Sequence, residues 1–175
     1  MKTPRTLRLV GQGLVLALLA GVLAGCDYTF EPLYPTDVKS VAVPMWHRGP
    51  EVYRRELEMR LTEAIIKQIQ LKPMYKVVSK AKAETELTGT IDRVEQRILT
   101  TDPDTGQPRE LEMTIFVSFE WKDLRTGKAR VKRSNFSQAG DYITHEPFSR
   151  DFFQGSEDVI NKLARRIVEE MEKPW

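Results

Sequence analysis

Six apolar side chains, Leu111, Met113, Ile115, Val117, Phe119 and Trp121, fall on successive odd positions, opposite Glu112, Thr114, Ser118, Glu120 and Lys122. Successive side chains of a strand point to opposite faces, so this alternation predicts a strand with one face on a core and the other toward water or a partner. Turn signals flank it. "TDPDTGQPR" comes before and "DLRTGKAR" after, and both read as hairpin connections within a meander of long strands.

The rest of the chain must supply the cover for that apolar face. Residues 39–44 alternate like a strand that Pro44 ends. Over residues 51–71, Tyr53, Leu57, Leu61, Ile65 and Ile69 recur every fourth residue, which predicts an amphipathic helix of about five turns, stopped by Pro73. Residues 75–78 form a short strand candidate. Next, Leu87, Gly89 and Ile91 share one parity while Val94 and Ile98 share the other, which predicts a bulge near Asp92 and Arg93. Residues 129–138 are more polar and suit an edge strand. The stretch 140–155 carries Tyr142, Phe148, Phe152 and Phe153 without regular period and reads as a loop folded over something. Ser156 is expected to cap a second helix with Glu157 and Asp158 near its positive end and a stripe of Val159, Ile160, Leu163, Ile167, Val168 and Met171. The expected class is α+β: two helices packed on one face of a mixed, largely antiparallel sheet, in the order β-α-β-β-β-β-α. At 175 residues the chain has room for one such domain, expected at residues 38–175.

The N-terminus reads differently. Lys2, Arg5 and Arg8 precede a largely apolar run over residues 9–23, and the run ends in "LAGC" with the chain's single cysteine, Cys26. A positive start, an apolar run and small residues make the three-part layout of a secretory signal. Glycines interrupt the run, and polar, Pro-rich sequence follows it, which weighs against a spanning helix. The tetrapeptide resembles a bacterial lipobox. Residues 1–25 are then expected to be a lipoprotein signal peptide, Cys26 an acylated anchor and residues 26–37 a short tether, with two or more acyl chains giving stable attachment to the membrane. The signal removes three basic residues and no acidic one, leaving 24 basic against 25 acidic side chains. Net charge therefore gives no reason to expect nucleic-acid binding; any anion contact must be local.

Catalytic chemistry has no constellation. His47 and His145 lie outside metal spacing and no second cysteine exists, so neither a metal nor another cofactor is expected. Asp102, Asp104 and Gly106 depart from a calcium loop, with glycine one position early and Met113 where a glutamate is needed; hairpin chemistry accounts for them. One charged cluster stands out: Arg125, Lys128, Arg130, Lys132 and Arg133, five basic residues within nine positions. Arg130 and Lys132 are expected to share a strand face. The cluster reads as a solvated edge that charge protects from aggregation, or as a contact for a phosphate-bearing ligand.

Together, "LAGC", the tether "YTFEPLYP", the strand "VKSVAVPMW", the helix "LEMRLTEAIIKQI", then "YKVVSKAKAETELTGTI" and the hairpin "LEMTIFVSFEWKDLRTGKA" resemble the lipopolysaccharide-assembly lipoproteins, the LptE-like family. The resemblance implies a non-enzymatic, lipid-anchored plug and assembly partner inside an LptD-type outer-membrane β-barrel, supporting lipopolysaccharide delivery to the cell surface. It suits lipopolysaccharide contact at Arg125, Lys128, Arg130, Lys132 and Arg133; Tyr142, Phe148, Phe152 and Phe153 are expected either to form part of the barrel contact or to seal the sheet edge. The expected location is the outer membrane, facing the periplasm. Asp27, directly after the cysteine, is a departure that leaves inner-membrane retention open. A rival class is similar too: lipoproteins that activate peptidoglycan synthases also open with β-α-β. Those have long linkers, whereas about ten residues here reach at most roughly 35 Å.

Overall fold

The computed structural model describes residues 37–144 and 152–173. In chain order the elements are β1 (Ser40–Ala42), β2 (His47–Arg48), α1 (Leu57–Gln70), β3 (Lys76–Val77), β4 (Thr85–Thr101), β5 (Pro108–Asp123), β6 (Ala129–Ile143) and α2 (Phe152–Glu172), with a 3₁₀ turn at Lys80–Lys82. The six strands form one mixed sheet in the order β3-β1-β4-β5-β6, and β2 also pairs with β4. The three short strands run parallel to their neighbours, and the long β4, β5 and β6 form an antiparallel meander.

The odd-position face of β5 is the centre of the core. Met113, Ile115, Val117, Phe119 and Trp121 are all buried, joined from β4 by Leu87 and Ile91. The ladder between β4 and β5 shifts register between Ile91 and Arg93. The bulge expected there returns Val94 to the core side of the sheet, where it packs against the buried cluster. Over this face lie the two helices, α1 through Leu57, Leu61, Ile65 and Ile69 and α2 through Val159, Ile160, Leu163, Ile167, Val168 and Met171. This is the α+β arrangement that the sequence predicts. Truncating any of these buried aliphatic side chains to alanine costs about 2–5 kcal/mol.

The structure corrects four local expectations. First, α1 begins at Leu57, not near Glu51, and Tyr53 is 90% exposed. The Gly49 N–H donates to the Ile91 carbonyl (2.8 Å) and Val52 N–H to the Gly49 carbonyl (3.1 Å), so this stretch prolongs the β2 contact with β4, and Glu56 turns into the helix at φ 75°. Second, β2 is an additional strand; at two residues it has no periodicity to read. Third, β6 continues to Ile143, and Tyr142 pairs with Leu111 in register instead of belonging to a loop. Fourth, α2 starts at Phe152 and Ser156 is wholly buried inside it, so Ser156 does not cap the helix.

Trp46 joins the layers. Its backbone N–H donates to the Thr62 hydroxyl of α1 (3.1 Å), which itself donates to the Glu58 carbonyl (2.6 Å). Its indole lies on Gly89 of β4, where a β-carbon would stand 2.5 Å from the ring. Substituting Gly89→Ala must therefore push Trp46 off the sheet. The expected cost is about 1–3 kcal/mol, read as a lower urea midpoint with an unchanged slope; an unchanged midpoint would show that the ring is not seated there.

Candidate functional site at the basic hairpin

The two hairpin turns are built alike from D-x-x-T-G-x. Asp102 accepts the N–H groups of Asp104 (3.0 Å) and Thr105 (2.9 Å), and Asp123 accepts those of Arg125 (2.8 Å) and Thr126 (3.1 Å). Gly106 and Gly127 take the positive φ of 70° and 71° that closes each turn, a conformation glycine adopts at no steric cost. Asp102 and Gly106 thus act as turn residues.

The turns differ in what surrounds the carboxylate. Asp123 is the last residue of β5, its side chain 4% exposed, and its second oxygen receives Nη2 of Arg130 (3.1 Å) and of Arg125 (3.4 Å). The Thr126 N–H, then the Arg130 guanidinium and the Arg125 N–H, hold its carboxyl far below the usual carboxylate range against the opposing effect of burial. Arg130 in turn clasps Asp37 with both nitrogens, Nη1 to Oδ1 at 3.2 Å and Nη2 to Oδ2. That fork-to-carboxylate pairing lowers the Asp37 pKa, the Arg130 hydrogen bond being the main cause. The guanidinium carbon also lies 5.6 Å from the Trp121 ring centroid. Just beyond Asp37, the Glu84 carboxylate accepts the N–H groups of Lys39 (2.7 Å) and Ser40 (3.3 Å), so the entry of the chain into the domain is fastened at two carboxylates.

The five predicted basic residues therefore do not form one open patch. Arg133 pairs with Glu170 of α2 at 2.8 Å. Arg125 and Arg130 are engaged by Asp123. Lys128 and Lys132 are exposed and make no salt bridge among the described residues. Nor do Arg130 and Lys132 share a face. Ala129 pairs with Lys122 and Val131 with Trp121, so Arg130 is an extra residue in a bulge and turns toward Trp121 on the core side. Lys132 pairs with Glu120 on the other face.

Of the predicted aromatic contacts, Tyr142 is buried and its hydroxyl receives the Gln96 amide at 2.5 Å. A β-carbon on Gly155 would meet its ring at 2.5 Å, so Tyr142 clasps β6 to α2. Phe152 is half-buried under Arg54, whose guanidinium carbon is 3.9 Å from the ring centroid. Cys26, Asp27, Phe148 and the side chain of Phe153 lie outside the described residues. Sequence reasoning missed the carboxylates. The repeated D-x-x-T-G-x pattern is a signal for Asp123, but Asp37 meets Arg130 across 93 residues and carries none.

A carboxyl depressed in the fold contributes stability that is fully present above its unfolded pKa of about 3.9 and is lost as pH falls toward its folded value. Asp123 and Asp37 both lie in that direction. Between about pH 5 and pH 2 the wild type is expected to lose urea resistance more steeply than Asp123→Asn, which starts lower at neutral pH. Parallel pH profiles would remove Asp123 from the stabilising set.

No curated protein sequence matches the chain. Among solved structures, a protein from Xanthomonas campestris superposes with a TM-score of 0.54 at 12% identity, covering 79% of this chain and 86% of that one, a likeness of fold. Rare lipoprotein B from Shewanella oneidensis aligns with a TM-score of 0.47 at 20% identity over 76% of this chain and 93% of that one. The PelC dodecamer from Paraburkholderia phytofirmans aligns with a TM-score of 0.46 at 16% identity over 81% and 93% respectively. A family model described as lipopolysaccharide-assembly, LptE, matches residues 38–172, from before β1 to the last residue of α2. The chain belongs to the LptE lipopolysaccharide-assembly family.

Proposed function

We propose that this protein is a lipid-anchored outer-membrane lipoprotein that binds and plugs an LptD-type β-barrel and supports lipopolysaccharide transport to the cell surface, without catalysis of its own. The observation that carries the reading is the family match across the whole folded domain. Its architecture is compatible: both helices bury one face of the meander, and the other face carries Glu112, Thr114, Ser118 and Glu120 on β5 around Phe116, whose ring lies under the Arg93 guanidinium, a largely polar surface suited to a wet lumen. The proposed anchor is Cys26, and the short stretch after it favours a partner within the same membrane. Asp27 makes the choice of membrane a point to test by fractionation.

Lipopolysaccharide contact is proposed at the hairpin, led by the exposed Lys128 and Lys132 with Arg125, joined by Arg130 when Asp37 gives way, and flanked by Arg133 in its pairing with Glu170. Phe148, Phe152 and Phe153 are retained as proposed barrel contacts; the inward position of Tyr142 makes it a support for that region.

Depletion of the protein is expected to reduce both correctly folded barrel and surface lipopolysaccharide, and Cys26→Ser protein, exported but unanchored, should restore both less well than wild type. Full barrel and surface lipopolysaccharide in depleted cells would overturn the reading. A defect confined to peptidoglycan synthesis would favour the synthase-activator class instead.

A further inference from the structure

The carboxylates around the basic hairpin are unequal. Asp123 has 4% of its side chain exposed and Glu170 10%, whereas Asp37 has 54%. Asp123 is also held by two backbone N–H groups of its turn, which fixes Arg130 from one side whatever happens on the other. Asp37 takes the Nη1–Nη2 edge of the same guanidinium with both its oxygens, sharing Nη2 with Asp123. An edge that two carboxylate oxygens fill in parallel fits two oxygens of a phosphate equally well. Exposed ion pairs are weak and exchangeable, so of the three acids Asp37 is the one that an incoming anion can replace.

We propose that Asp37 is a built-in competitor for the phosphate site of the hairpin: a phosphate group displaces its carboxylate from Arg130 and takes its place beside Arg125 and Lys128. Asp37 lies at the point where the chain enters the domain, two residues before the backbone N–H that Glu84 holds. Ligand binding at the hairpin therefore loosens one of the two fastenings of that entry while leaving the Glu84 fastening in place. The inference rests on the reading that the hairpin meets lipopolysaccharide, and adds to it a regulation that the paired arginines alone would not provide.

A double-mutant cycle tests it. Binding of the acylated full chain is measured to lipopolysaccharide, to the same lipopolysaccharide stripped of phosphate, and to inorganic phosphate. The proteins are wild type, Asp37→Asn, Arg130→Gln and the double variant, each first checked for an intact urea transition; Arg130→Lys replaces Arg130→Gln if the latter does not fold. Asp37→Asn is expected to bind phosphorylated lipopolysaccharide about two- to fivefold tighter than wild type. The gain should vanish on the stripped lipid and in the Arg130 background. A matching gain toward inorganic phosphate assigns the site to the phosphate alone, and a gain confined to the lipid assigns it to the headgroup; both support the exchange. Wild-type binding that depends on phosphate with no gain in Asp37→Asn overturns this inference alone. Binding that ignores phosphate in every variant overturns it together with the lipopolysaccharide contact at the hairpin.

Discussion

The burial of one face of β5 governs the rest of the molecule. Side chains of a strand alternate strictly, so seating Met113, Ile115, Val117, Phe119 and Trp121 on the core fixes the register of β4 and β6 beside it; a slip of one residue would turn all five to water. That register decides where β5 ends, and its end decides the turn. Asp123 stands at the last strand position and gathers the N–H groups that close the hairpin. The bulge that follows swings Arg130 back to it, and Arg130 reaches Asp37. A hydrophobic alternation in the middle of the chain thus sets the polar arrangement at the domain's entry.

The same alternation is the most legible part of the sequence, because a period of two sustained over eleven residues matches a half-buried strand and clashes with the 3.6-residue period of a helix. The reversal of parity between Ile91 and Val94 reveals the bulge for a related reason: a strand keeps its apolar side chains on the core only by inserting a residue. Helix stripes are legible where four or more turns repeat. They mislead at Tyr53, which continues the fourfold spacing while the backbone is still tied to β4 through Gly49. Short elements such as β2, and the boundary between β6 and α2, depend on tertiary hydrogen bonds and on Gly155 receiving the Tyr142 ring, which no local pattern encodes. The charge cluster is visible as composition, but its neutralisation is not: Asp37 and Glu170 come from opposite ends of the domain to pair with β6.

That neutralisation changes how the hairpin can act. Five cations on one open hairpin would attract any polyanion. Here Asp123 and Glu170, both nearly buried, tie up much of the charge and fix the geometry of the arginines, while Lys128 and Lys132 stay outside. Such a surface discriminates by shape and by bidentate fit more than by net charge. It suits a protein whose formal net charge is only +2 and which is proposed to sit against both a barrel wall and a phosphorylated lipid.

The most direct measurement of the central claim is recovery of the tagged, acylated protein from detergent-solubilised outer membranes, with co-purifying proteins identified by mass. The predicted result is one large β-barrel protein in equal amount. Recovery with a peptidoglycan synthase, or from the inner membrane alone, would contradict it.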